Sequence, residues 1–453
     1  MGRMLVWTAV LACVLVAPGV VLAEGAGNPD EALRQEILKR LQSLESAVQT
    51  LQGSPSALPP LPKDASSAAI LERLGALEST VRGLQAGHGA AAPASAPAEE
   101  PDLLDRVSAL EKRAENIGFH IYGSLDVSYG YNMNEPDSRA NKLRVFDTKH
   151  DEFNANLLDL ILEKPTEGPG TWGFRADLDA GEDPSVFQAF GWNDGDNFEL
   201  QQAYVQWVAP VGSGLTLRLG KFVTNHGMEV IESADNWNTS RSFMFGFAIP
   251  FTHTGFAASY TFDQVQLMLG IVNGWDNVDD NNDGKTFHGM LKWTPSDKLN
   301  LTLSGTYGPE RTGNEDNMRG LATLALCYVP LEDLSLGLDV DYGDEEGAGV
   351  GRKMGEFAEW WGAAIYAKYN FCPTWSLALR AEHFVDDDGA RMGLVGQRVQ
   401  EMTLTAAWKP IGAAEVRLEY RHDWSSVDVF DDGEDVGTSD EQDTMSFEVI
   451  YRF

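Results

Sequence analysis

The chain closes on an alternation. Met445, Phe447, Val449, Tyr451 and Phe453 take turns with Thr444, Ser446, Glu448, Ile450 and Arg452. Successive side chains of an extended strand point to opposite faces, so this segment has one apolar and one mostly polar face. The pattern recurs upstream. Leu334, Leu336, Leu338, Val340 and Tyr342 alternate with Ser335, Gly337, Asp339 and Asp341; Val416, Leu418, Tyr420 and His422 alternate with Glu415, Arg417, Glu419, Arg421 and Asp423. A soluble β-sandwich turns its apolar faces inward and does not stack charges in register on the other side. Strands that are apolar outside and charged inside, with an aromatic last residue, predict a bacterial outer-membrane barrel with a wet lumen.

Punctuation supports that fold. Short turns follow Pro165, Pro210, Asp263, Pro295, Pro330, Pro373 and Pro410. Long polar connections lie near 132–151, 181–196, 225–250, 274–285, 308–318, 344–358, 386–398 and 425–442. Seven turns and eight long loops join about 16 antiparallel strands over 117–453, an even count with both termini on the short-turn side. Aromatic residues fall at the strand ends. Trp207, Trp293, Tyr328, Phe371, Trp375, Trp408 and Phe453 mark the short-turn ends, and Tyr129, Trp275, Tyr307, Tyr342 and Trp424 the long-loop ends. Two such girdles suit amphipathic rings at two membrane interfaces, with outer-membrane lipids as the surrounding partner.

The first quarter of the chain has a different period. Residues 1–23 read as a signal peptide: Arg3, an apolar run from Met4 to Val16, and cleavage after Ala23. Leu11 and Ala12 fit a lipoprotein signal around Cys13 poorly. From 24 to 116, apolar residues step by three and four (Ile37, Leu41, Leu44, Val48, Leu51), then again over Ile70–Leu84 and Leu103–Ala114. Ile37, Ile70 and Leu103 open successive units of a 33-residue repeat, separated by Pro- and Ala-rich linkers. Two heptads do not hold a lone helix in water. Two uses follow: a periplasmic spacer with fluctuating helices, or a short coiled coil that gathers barrels into a homo-oligomer, with a trimer the expected state.

Charge narrows the partners. The chain has 34 Lys and Arg against 68 Asp and Glu, a net charge of −34, which excludes a nucleic-acid partner. Beyond the signal only Cys327 and Cys372 remain; with one strand between theirs, the two are expected to stay unpaired. Gly-x-Ser-x-Gly, zinc-binding His-Glu-x-x-His and phosphate-loop motifs are missing. His422, Asp423, Ser425 and Ser426 resemble parts of a hydrolase site, but parity puts His422 on the outer face, so no catalytic residue is assigned. Asp279, Asn281, Asp283 and Gly284 open like a calcium loop, yet the twelfth position is Met290, which excludes an EF-hand. No cofactor and no metal ligands are expected.

The candidate chemistry is that of a pore. Parity places Arg175, Asp177, Arg218, Arg380, Glu382, Arg417, Glu419 and Arg421 on the lumen wall, either as a salt-bridged lining or as the set that shapes the pore field. The third long connection holds Glu229, Glu232, Asp235 and Arg241 beside Met228, Phe243, Met244, Phe245 and Phe247. It is too apolar for a solvated loop, and folding inward would bury those side chains and build a constriction.

Several segments resemble one known family. They are Gly220-Lys221-Phe222 with Thr224, Gly227 and Glu229; Asn236, Asn238, Ser240 and Arg241; Pro250-Phe251-Thr252-His253-Thr254-Gly255; Asn273-Gly274-Trp275-Asp276 with Asp280-Asn281; Gly308-Pro309-Glu310; Arg380-Ala381-Glu382; and Glu419-Tyr420-Arg421. Together these are similar to the OmpL-like putative β-barrel porin-2 family, and the likeness covers the barrel but not the heptads. The resemblance implies an outer-membrane porin and supplies no functional residues. The expected function is a water-filled channel for passive diffusion of small hydrophilic solutes or ions, with modest cation preference. A solute-specific porin, for sugars for example, and a barrel-anchored surface scaffold or adhesin are the alternatives.

Overall fold

The computed structural model describes residues 118–192, 197–351 and 356–453. The expected signal peptide and heptad repeats lie outside them. Sixteen strands close into one antiparallel barrel. They are β1 (His120–Asn132), β2 (Glu152–Lys164), β3 (Trp172–Gly181), β4 (Phe198–Ala209), β5 (Leu215–Val223), β6 (Thr252–Phe262), β7 (Val265–Val272) and β8 (Thr286–Ser296). Then come β9 (Leu299–Arg311), β10 (Asn314–Leu331), β11 (Leu334–Glu346), β12 (Phe357–Cys372), β13 (Trp375–Asp386), β14 (Gln397–Ile411) and β15 (Ala414–Ser425). A hairpin of β16 (Phe430–Asp432) and β17 (Asp435–Ser439) precedes the last barrel strand, β18 (Glu441–Arg452). Every barrel strand pairs with its sequence neighbour, and β1 pairs with β18, Val127 opposite Val449. Phe453 exchanges two backbone hydrogen bonds of 3.0 Å with Gly123, finishing the seam.

Alternation sets which way each side chain points. On β14, Glu401, Thr403 and Thr405 are buried inside while Met402, Leu404 and Trp408 are exposed outside. On β15 the insiders are Glu415, Arg417, Glu419, Arg421 and Asp423, and Leu418 and Tyr420 face out. At the short-turn end Trp172 stacks on Trp207 at 5.6 Å and Trp375 on Trp408 at 5.8 Å, each pair across neighbouring strands. Cys327 and Cys372 are free, on β10 and β12 with β11 between them.

Two expectations need correction. The region 308–318 is not a loop: β9 and β10 run on through it and reverse at Thr312-Gly313, where Gly313 takes a φ of 65°. Polar residues serve a strand that outruns the barrel wall as well as they serve a loop. Trp275 does not join the girdle expected at the long-loop ends. It packs toward the interior against Trp360, with the guanidinium groups of Arg319 and Arg391 at 4.8 and 4.5 Å from its ring.

The third long connection, L3 (224–251), enters the barrel. Its Ile231, Phe243, Met244, Phe245, Ala248 and Ile249 are buried in an apolar cluster with Leu321, Trp360, Tyr366 and Phe384 of the wall. Two inward glycines make room. A Cβ at Gly337 would overlap the Met228 thioether, and one at Gly362 the Met244 side chain. The barrel thus has a core inside its own lumen, built mainly by L3, with Phe187 and with Leu143, Val145 and Phe146 of the first long connection packed onto it.

Candidate constriction of the lumen

L3 is mostly irregular, with a 3-10 turn at Ser233–Asp235 and one π-type turn at Met244–Ala248, so its backbone groups have no ladder partners. Buried N–H and C=O groups must nevertheless be satisfied. The charged wall does this. Glu419 accepts from the N–H groups of Thr239 (2.7 Å) and Ser240 (2.9 Å), and Glu382 from Phe243 (2.8 Å) and Met244 (2.5 Å). Asp339 accepts from the Met228 N–H at 2.8 Å. The arginines take the carbonyls: Arg380 donates to Ser240 O (2.5 Å), Arg417 to Ser233 O and Asn236 O (both 3.0 Å), and Arg421 to Arg241 O (2.5 Å). Acids cap donors and bases cap acceptors along the same stretch of loop.

The same charges pair with one another. Arg380 bridges Glu229 of L3 and Glu401 of β14, each at 2.6 Å. Arg417 meets Glu415 at 2.8 Å and Glu448 at 3.2 Å; Arg421 meets Asp423 at 2.7 Å. Arg144, from the first long connection, reaches Asp423 at 2.7 Å. Arg380, Arg417 and Arg421 are among the largest side chains with no appreciable exposure. Charges at that depth are held by pairing and hydrogen bonds, and of these three arginines Arg421 alone keeps a buried nitrogen, Nη2, without a partner. Arg380, Glu382, Arg417, Glu419 and Arg421 therefore point into the lumen as parity predicts, but L3 covers them, and they bind the loop.

The other candidates sort into two groups. Glu229 and Arg241 are used within the loop: Glu229 accepts from Ser242 N–H (2.8 Å) and Oγ (2.6 Å), while Arg241 donates to Thr239 O at 2.8 Å and to Ile231 O and lies over the Phe146 ring. Glu232, Asp235, Arg175 and Arg218 border a cavity of about 460 Å³ beside L3, together with Tyr122 and Lys292, and Glu229 reaches its edge as well. Arg175 pairs with Asp177 at 2.8 Å, and Arg218 lies over the Tyr204 ring at 4.4 Å. Asp235 meets Arg452 at 2.8 Å. Burial pushes the Glu232 carboxyl up, against the opposing hydrogen bond from Gln201 (2.8 Å).

Sequence reasoning missed some residues. Glu401 and Glu448 sit on inward positions that parity marks, and they complete the ionic lining. Trp360, Tyr366 and Phe384 also have inward parity and carry the apolar plug. Three histidines, His226, His253 and His288, gather in one buried cluster although no metal ligands were expected. His253 and His288 share the inward parity of β6 and β8, a signal available in the sequence.

A closed barrel of sixteen antiparallel strands whose third long connection is held inside the lumen defines a porin architecture. The chain belongs to the family described as Putative beta-barrel porin-2, OmpL-like, whose model matches residues 118–453. It is thus a porin of the bacterial outer membrane, a transport channel and not an enzyme. Two solved structures share the fold. OprB of Pseudomonas putida aligns with a TM-score of 0.53 at 10% identity, covering 77% of this chain and 97% of that one. An anion-selective porin from Comamonas acidovorans aligns with a TM-score of 0.51 at 12% identity, covering 74% and 99%. The outer membrane channel DcaP of Acinetobacter baumannii aligns at 0.49 and 13% identity, covering 74% and 97%. No curated protein sequence matches the chain.

Proposed function

We propose that the barrel passes small hydrophilic solutes and ions by passive diffusion along the space L3 leaves free, with a modest preference for cations. The observation that carries this reading is the fixed position of L3: its backbone is capped by wall charges, and the void beside it is lined by charged and polar groups such as Arg175, Arg218, Glu232 and Lys292 together with apolar ones such as Ile161, Val230 and Met290. Trp360, Tyr366 and Phe384 are covered by L3, which leaves Tyr122 and Tyr204 as the wall aromatics at the cavity, too few for a stacked sugar path.

Cation preference follows from two features. Residues 117–453 hold 54 acidic and 24 basic side chains, with many acids near the long loops, such as Asp279, Asp280, Asp283, Asp387 and Asp432. A negative rim enriches cations within a screening distance of about 10 Å at 0.1 M salt. The opposing arginines are mostly spent: Arg380, Arg417 and Arg421 are neutralised by buried carboxylates and Arg175 is paired with Asp177, leaving Arg218 and Lys292 as the opposing bases at the cavity. In planar bilayers the purified protein should show stepwise conductance, and a KCl gradient should give a reversal potential of cation sign that fades at high salt. Acidification should weaken the preference early, because a carboxyl with a raised pKa, such as Glu232, loses its charge before exposed acids do as the pH falls. Anion sign at neutral pH would assign selectivity to Arg175, Arg218 and Lys292 at the cavity. Silence at all voltages would favour the anchored scaffold.

We further propose that 24–116 lies in the periplasm, that the long loops are extracellular, and that the heptads over 37–51, 70–84 and 103–114 promote a homotrimer. Removing 24–116 should leave a folded barrel and weaken the oligomer in native mass measurements. An unchanged oligomer would reduce this segment to a spacer.

A further inference from the structure

Where L3 leaves β5 it meets the wall at three histidines, His226 of the loop, His253 of β6 and His288 of β8, each no more than 2% exposed. One ring nitrogen from each lies within 4.8 Å of the others. The His226 and His288 rings are near parallel with centroids 5.3 Å apart, and His253 and His288 are 4.5 Å apart. The surrounding hydrogen bonds say which nitrogens are committed. His226 Nδ1 is held by the hydroxyls of Ser304 (2.8 Å) and Thr323 (3.1 Å), and its Nε2 has no partner. His253 Nδ1 donates to the Gly274 carbonyl at 3.2 Å, which leaves Nε2 as the lone-pair nitrogen, with Thr224 Oγ1 at 3.1 Å. His288 has no partner at either nitrogen.

Buried imidazole nitrogens without hydrogen bonds are costly. We propose that His226, His253 and His288 form a binding site for a borderline transition-metal ion of the zinc, nickel or copper(II) class, which clamps the base of L3 to β6 and β8. Three neutral nitrogens and no carboxylate select such ions over calcium or magnesium, which prefer oxygen. Metal–nitrogen bonds of about 2.0–2.1 Å in a tetrahedral site put ligand nitrogens roughly 3.3 Å apart, within reach of small ring rotations from the observed spacing. The outer contacts match those of histidine ligands: Gly274 O fixes the His253 tautomer, and Ser304 and Thr323 hold the His226 ring from behind. Thr224 yields the His253 Nε2 on binding, and a water completes the set.

The test uses the full-length protein in detergent, stripped with chelator, dialysed against Zn²⁺ and assayed by metal content and calorimetry. One zinc per chain is expected, with no uptake of Ca²⁺. His253→Gln and His288→Gln should each weaken zinc binding at least tenfold while keeping the heat-dependent gel mobility of a folded barrel. Cu²⁺ added to the wild-type protein should give an electron paramagnetic resonance spectrum with hyperfine structure from imidazole nitrogens, a readout that requires no variant to fold. Zinc held equally by the His226→Gln/His253→Gln/His288→Gln variant would be adventitious binding and would overturn the proposal. So would no uptake by the wild type, or a Cu²⁺ spectrum of oxygen ligation alone.

Discussion

Excising 230–247 and joining the ends with a short glycine linker should raise single-channel conductance several-fold while the barrel still forms. The barrel ladders run from strand to neighbouring strand and close through β1 and β18 without L3. Wall ion pairs such as Arg417–Glu415 and Arg421–Asp423 also survive the deletion. What is lost is the apolar plug. Phe243, Met244 and Phe245 are buried against Trp360, Phe384 and their neighbours, and each such side chain contributes roughly 1.5–3 kcal/mol through burial. The truncated barrel should therefore unfold at lower temperature but keep its strand content by circular dichroism. Bilayer recordings decide the functional half. Unchanged conductance would mean that L3 is not the narrowest part of the path, and the limit would move to the cavity at Tyr122, Arg175 and Arg218.

The strand pattern made most of the fold legible. Alternation over 415–423 and 443–453 fixed both the fold class and the inward set, because parity along a strand is a local property. L3 was legible for the same kind of reason: Met228 and Phe243 to Phe247 are costly to leave in water. What local pattern cannot show is which inward charges stay open to solute. Glu382 meets the Phe243 N–H and Glu419 the Ser240 N–H across long stretches of sequence, so parity gave their direction and not their cover. Trp360 and Phe384 have the parity of a wet lumen wall, and only the apolar side chains of L3 packed against them explain why they are aromatic. Trp275 misled because a tryptophan at a strand end suits an interface and an arginine sandwich equally. The histidines come from β6, β8 and L3, and only the closed barrel unites them.

Arg380→Ala should be the most damaging single substitution in the lumen. The side chain is fully buried and makes five contacts: Glu401 and Glu229 at 2.6 Å, Ser240 O at 2.5 Å, Ser240 Oγ at 3.1 Å and Thr403 Oγ1 at 3.3 Å. Its loss strands two buried carboxylates, and Arg421, 3.7 Å from Glu401, compensates only one of them. Breaking a buried pair from one side costs about 3–5 kcal/mol, far more than the pair contributes relative to apolar residues of similar size. The damage has two places to appear. If the barrel absorbs it, the urea midpoint falls; if L3 swings away to hydrate Glu229, the midpoint falls less and the open-channel current becomes larger and noisier. Arg380→Lys keeps the charge but cannot span Glu229, Glu401 and the Ser240 carbonyl with one ammonium, so it should fall between the two. Adding Glu229→Gln and Glu401→Gln to Arg380→Ala should recover part of the loss by removing the stranded charges. An Arg380→Ala protein with wild-type unfolding and wild-type current would show that this arginine does not hold the loop.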